Sequence, residues 1–147
     1  MPTLLVIDDQ QGVRLTLNHL FSTAGFNVVL AENGMSALAL YDPLVVDAAL
    51  VDIFMPGMNG LDLCRELRTR GQQASRDLPV FLMSGAPTSE HRRRAAEFGA
   101  LGVLAKPFDV EAFIQELKTR LDNNPAQPHA RPPEFDAENP LVGASTA

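Results

Sequence analysis

The chain has 147 residues, 46% hydrophobic and 20% charged, with a net charge of −6; that is enough for one domain with a real core and a poor match to nonspecific nucleic-acid binding. Its single cysteine, Cys64, excludes a disulfide within the chain, and no zinc-type cluster is present. No apolar run reaches the ~18 residues of a membrane span, and the opening MPTLLVIDD has no basic region and meets acids too early for a signal peptide, so a cytoplasmic location is the expectation.

The first predicted strand is TLLVID (3–8). Its apolar run stops at Asp8 and Asp9, adjacent carboxylates whose repulsion and desolvation cost free energy. A helix follows, with Val13, Leu17, Leu20, Phe21 and Ala24 on one face and a stop at Gly25. NVVLA (27–31) is the second strand, ending at Ala31 and Glu32, and a short helical pattern covers 34–41. DAALVD (47–52) is the third strand and ends in Asp52. Gly60, Leu63, Cys64 and Leu67 mark the third helix, read as stopping before Gly71. LPVFLMS (78–84) ends in Ser84 and Gly85, and LGVLAK (101–106) ends in Lys106 before Pro107. Between these two strands a short helix spans 88–98, capped by Thr88 or Ser89. Val110, Phe113, Ile114, Leu117 and Leu121 give the clearest stripe, with Asp109 placed to cap it.

Strands this continuously apolar are expected to be covered on both faces. Five of them alternating with five helices imply an α/β three-layer sandwich with a parallel sheet. From Asp122 the texture changes. DNNPAQPHARPPEFDAENPLVGASTA holds five of the eleven prolines and no apolar periodicity. Residues 1–121 are therefore read as the domain, and 122–147 as a proline-rich, acidic, disordered tail.

Ligands of open parallel sheets bind at the carboxyl ends of the strands. Four of the five ends here carry Asp8 and Asp9, Asp52, Ser84, and Lys106. Three carboxylates suit a hard cation such as Mg²⁺, and a lysine with a hydroxyl complements a phosphoryl group. If the second strand lies at an edge, the other four ends converge.

This constellation resembles the receiver domain of two-component response regulators, over roughly residues 3–121. The marks are Asp8–Asp9, LVDIFMPGMNG with Asp52, MSGA with Ser84, and AKPF with Lys106. The resemblance implies a flavodoxin-like (βα)5 fold with strand order 2-1-3-4-5. It implies that Asp52 is the phosphoacceptor and that Asp9 is a direct Mg²⁺ ligand, with Asp8 holding a coordinated water or assisting. The Phe54 backbone carbonyl matches a further ligand position, and Mn²⁺ is an alternative ion. Ser84 and Lys106 would contact phosphoryl oxygens, and Pro107 resembles the family's cis proline. Implied partners are a histidine kinase or phosphotransfer protein and a downstream protein, with no direct nucleic-acid or membrane contact. A homodimer through the fourth helix, fifth strand and fifth helix is a further option.

Two positions depart from the family. An aromatic residue usually stands three before the lysine and turns inward with the strand-four hydroxyl; here it is Val103, which has one χ angle and cannot make that sweep. The switch positions are thus Ser84 and Val103, and the signal is expected to travel through 85–89 and the helix after it. Phe54 and Ala86 are apolar where a polar side chain would orient water, so slow autodephosphorylation is expected.

Rival readings are weaker. A flavodoxin would need a Ser/Thr/Gly-rich first loop for a phosphate, which IDDQQ would repel. A dehalogenase-type phosphatase needs a DxD pattern that is missing. A simple phosphate relay or sink is one alternative, and a DNA-binding regulator fits only if the chain is the N-terminal fragment of a longer one. Cys64 reads as core, His19 and His91 as surface residues, and Arg92–Arg94 as a solvated helix face or part of a docking surface.

Overall fold

In the computed structural model, which describes residues 1–123, the apolar runs and helical stripes resolve into five strand–helix units. In chain order these are β1 (Thr3–Ile7), α1 (Gln11–Thr23), β2 (Asn27–Ala31), α2 (Gly34–Leu40), β3 (Ala48–Asp52), α3 (Gly60–Gln73), β4 (Val80–Ser84), α4 (Ser89–Glu97), β5 (Gly102–Ala105) and α5 (Val110–Asp122). All pairings are parallel and the order is β2-β1-β3-β4-β5, as the sequence led us to expect. The expected tail lies outside the described residues from 124 onward.

Alternation along each strand divides the core between two faces. Leu5, Ile7, Ala49, Val51, Val80 and Leu82 pack with Ala37 of α2, Leu61, Leu63, Cys64 and Leu67 of α3, and Ala95 of α4. Leu4, Val6, Ala48, Leu50, Phe81 and Met83 pack with Leu17 and Phe21 of α1 and Phe113, Ile114, Leu117 and Leu121 of α5. Each leucine fully buried this way contributes about 2 kcal/mol. Phe113 sits among Phe21, Phe81 and Phe108, each meeting its ring edge to face. β1, β3 and β4 are buried along their whole length, whereas β2 and β5 are half-exposed. Both-sided cover therefore holds for the central strands only, because the outer two are sheet edges.

Caps fix where the helices start. Asn33, Asn59, Thr88 and Asp109 each accept a backbone N–H from the first turn of α2, α3, α4 and α5. α3 does not stop before Gly71 but runs two residues further. Gly71 is buried where a Cβ would come within 3.1 Å of the Arg76 carbonyl and 3.5 Å of the Tyr41 hydroxyl. This glycine permits close packing and does not break the helix. Below the sheet, Arg76 and Asp47 form a buried ion pair at 3.5 Å. Asp47 also accepts the Thr3 N–H at 2.8 Å, and Arg76 donates to the Pro43 and Val46 carbonyls. No helix among the described residues is long and apolar enough to cross a membrane.

Candidate functional site

Register alone brings the polar strand ends together. Ile7 pairs with Val51, so Asp8 emerges beside Asp52. Asp52 pairs with Met83, and Ser84 with Ala105, so Ser84 and Lys106 complete the row. β2 is the edge beyond β1, and Ile7 pairs with Ala31, so Glu32 follows beside Asp8 without joining the clustered carboxylates. The carboxylates of Asp8, Asp9 and Asp52 bring oxygens within 4.8 Å of one another. Asp8 and Asp52 are buried, and Asp9 is exposed. A cleft of about 540 Å³ opens beside Asp9, lined by Glu32, Asn33, Met35, Pro56 and Gly57. Gly57 turns that loop with a φ of +81°, where a side chain would be strained.

One cation answers the buried acids. Lys106 Nζ donates to Asp8 Oδ2 at 2.7 Å and lies 3.4 Å from Asp52 Oδ1. The peptide between Lys106 and Pro107 is cis. Asp8 is further held by the Gln10 N–H, which donates to Oδ1 at 2.9 Å, and the Arg14 guanidinium donates to its carbonyl. Burial first, and the charge of Asp8 second, push the Asp52 carboxyl up to about 6; Lys106 and the Phe54 backbone N–H pull the other way and do not cancel the rise. For Lys106, burial disfavours its charge, yet the bond to Asp8 and the charges of Asp52 and Asp8 outweigh it and raise its pKa. The pocket thus carries more negative charge than its lysine balances, and every donor in it is a hard oxygen. The clustered carboxylates of Asp8, Asp9 and Asp52 fit a hard cation such as Mg²⁺.

Ser84 is fully buried, and its Oγ accepts the Ala86 N–H at 3.1 Å. Val103 is half-buried against the α3–α4 side of the core, and its carbonyl accepts from Arg92 at 3.1 Å. Two participants escaped the sequence reading. Gly60 opens α3 where any Cβ would overlap the carbonyl of Asp52, so the helix can lie against the loop of the phosphoacceptor candidate only as glycine. His91, expected as a surface residue, is half-buried, and its ring meets Phe54 at 5.1 Å. Only spacing relative to Asp52 could have flagged the glycine, and nothing local could have flagged the histidine. His19 is exposed and Cys64 fully buried; burial pushes the Cys64 thiol up to about 12, which makes it inert.

Comparison with known proteins gives a consistent answer. The profile described as the response regulator receiver domain matches residues 4–118. A response regulator MprA from Mycobacterium sp. (strain KMS) is 34% identical over 118 residues, covering 80% of this chain and 50% of the relative. MprA from Mycobacterium avium (strain 104) is 32% identical over 136 residues, covering 92% of this chain and 55% of the relative. The chain thus spans about half the length of these curated relatives. Among solved structures, the chemotaxis protein CheY4 of Vibrio cholerae superposes with a TM-score of 0.72 at 28% identity, over 80% of this chain and 96% of that one. The response regulator TrrA of Thermotoga maritima, solved in complex with Mg²⁺ and BeF, gives 0.68 at 27% identity, over 82% and 99%.

Proposed function

The chain belongs to the response regulator receiver family, and on that premise we propose that Asp52 accepts a phosphoryl group from a phosphohistidine of a histidine kinase or phosphotransfer protein, in a Mg²⁺-dependent reaction. The observation that carries this reading is the single row of Asp8, Asp52 and Lys106 at the sheet's carboxyl edge, with one lysine reaching both acids. An Asp52 oxygen attacks phosphorus as the P–N bond of the donor breaks. The bonding pair leaves on the donor imidazole, and Asp52 becomes an acyl phosphate. Lys106 holds Asp52 in its ionised, nucleophilic form and pairs with a phosphoryl oxygen after transfer. The Ser84 hydroxyl, already accepting the Ala86 N–H, has its own hydrogen to donate to another phosphoryl oxygen. Asp9 would bind the cation directly and Asp8 through water; when bound, Mg²⁺ neutralises charge on the transferring group, and Mn²⁺ is the expected substitute.

Phe54 and Ala86 leave no polar side chain to orient a hydrolytic water, so the acyl phosphate is long-lived. Output runs through protein–protein contact on the α4–β5–α5 face, a second copy of the chain included. The half-buried Val103, with no ring to rotate, favours one second reading: a relay or sink that passes phosphate on with little change of shape. The test is phosphoryl uptake from acetyl phosphate with Mg²⁺ and with excess chelator. Stoichiometric uptake only with Mg²⁺ is expected, and uptake that ignores the chelator refutes the metal-dependent site.

A further inference from the structure

Phe54 stands two residues after Asp52, and 56% of its surface is exposed. A ring so placed has little core to fix it, but it is not loose. The imidazole of His91 meets it edge to face, centroids 5.1 Å apart and planes at 75°. His91 is itself fixed by the start of α4. The Thr88 N–H donates to His91 Nδ1, and the His91 N–H donates to Thr88 Oγ1, both at 3.1 Å. One imidazole therefore closes the capping box of α4 and seats the ring that follows the phosphoacceptor.

We propose that His91 is a positioning residue for Phe54, and that the state of Asp52 reaches the first turn of α4 through this ring pair. The inference rests on Asp52 being the phosphoacceptor. Phe54 follows Asp52 in the same loop, and its backbone N–H favours the charged form of the Asp52 carboxyl, so converting that carboxylate to an acyl phosphate changes the charge beside the residue that carries the ring. Val103 cannot supply the route, since a β-branched side chain has no ring to swing. The loop from Gly85 to Pro87 has only small or rigid residues, whereas the His91 ring is a large side chain at this end of α4 that meets the loop after Asp52. A contact can transmit no more than its own free energy. An aromatic pair limits the coupling to roughly two- to tenfold.

The test separates the ring from the cap. His91→Gln keeps an acceptor for the Thr88 N–H but has no ring. His91→Phe keeps a ring and loses the acceptor. Amide chemical shifts are recorded for each with Mg²⁺, before and after beryllofluoride, and acyl-phosphate lifetimes are measured alongside. Wild type and His91→Phe are expected to shift both around Asp52 and across 88–97. His91→Gln is expected to keep the changes around Asp52, to lose most of those across 88–97, and to alter the lifetime roughly two- to tenfold. Phe54→Leu, which cuts the pair from its other side, should reproduce His91→Gln even if that variant folds poorly. Full transmission in His91→Gln overturns the proposal, as does a His91→Phe variant that behaves like His91→Gln. A wild type that ignores beryllofluoride around Asp52 overturns the phosphoacceptor reading, and this inference with it.

Discussion

Replacing Asp52 with asparagine should make the ion-free protein more stable at neutral pH. The carboxyl of Asp52 is held at about 6 rather than 3.8, and its side chain is only 7% exposed. Two pKa units correspond to about 3 kcal/mol of cost for keeping it ionised in the fold. That cost is already net of the 3.4 Å ion pair with Lys106, and an amide is not a perfect match for the protonated acid, so a net gain of about 1–3 kcal/mol is the expectation. The sign follows from proton binding. The folded state holds the Asp52 proton more tightly than the unfolded chain, so this residue's contribution falls as pH rises from about 4 to about 6. Above that window the whole cost is present. Urea unfolding of wild type and Asp52→Asn, with chelator, across pH 4 to 7.5 measures it. The gap should be small at pH 4, open through pH 6, and narrow again on adding Mg²⁺, which binds the wild-type site better. A variant less stable than wild type at pH 7.5, or a gap of the same size at pH 4, refutes the reasoning.

Further predictions concern other positions. Phe54→Asn puts a polar side chain two residues from the acyl phosphate, so phosphate should be lost several-fold faster when followed by radiolabel decay; an unchanged or slower decay counts against it. Gly60→Ala forces α3 off the Asp52 carbonyl and should cost about 2 kcal/mol in chemical unfolding as well as slow phosphoryl uptake; a variant with normal values in both shows that the loop yields freely. Arg76→Met takes the cation away from Asp47, buried at 4% exposure, and should cost about 3 kcal/mol; a loss under about 1 kcal/mol means the pair is dispensable.

The fold was readable because a parallel sheet encodes itself locally. Each central strand is a run of four or five apolar residues, and α1, α3 and α5 turn back as helices with an apolar stripe. The row of site residues was readable for a related reason: parallel register delivers the residue after each strand to the same edge, so strand ends suffice to gather Asp8, Asp52, Ser84 and Lys106. What stayed hidden depends on contacts between distant segments. β2 and β5 are as apolar in sequence as β1, and only their edge position leaves them half-exposed. Gly71 reads as a stop, and the tight approach of Arg76 and Tyr41 makes it part of a helix. The Arg76–Asp47 pair joins residues 29 apart with no periodicity to announce it. His91 looks like any polar residue of an exposed helix until the loop carrying Phe54 folds over to meet it.

The central claim is that Asp52 carries the phosphoryl group, and locating that group tests it directly. The protein is incubated with acetyl phosphate and Mg²⁺, then treated with borohydride, which reduces an acyl phosphate to an alcohol. Peptide mass spectrometry should find residue 52 converted to homoserine, only when donor and Mg²⁺ are both present. Conversion at another aspartate, or none at residue 52 under conditions of full phosphoryl uptake, contradicts the account.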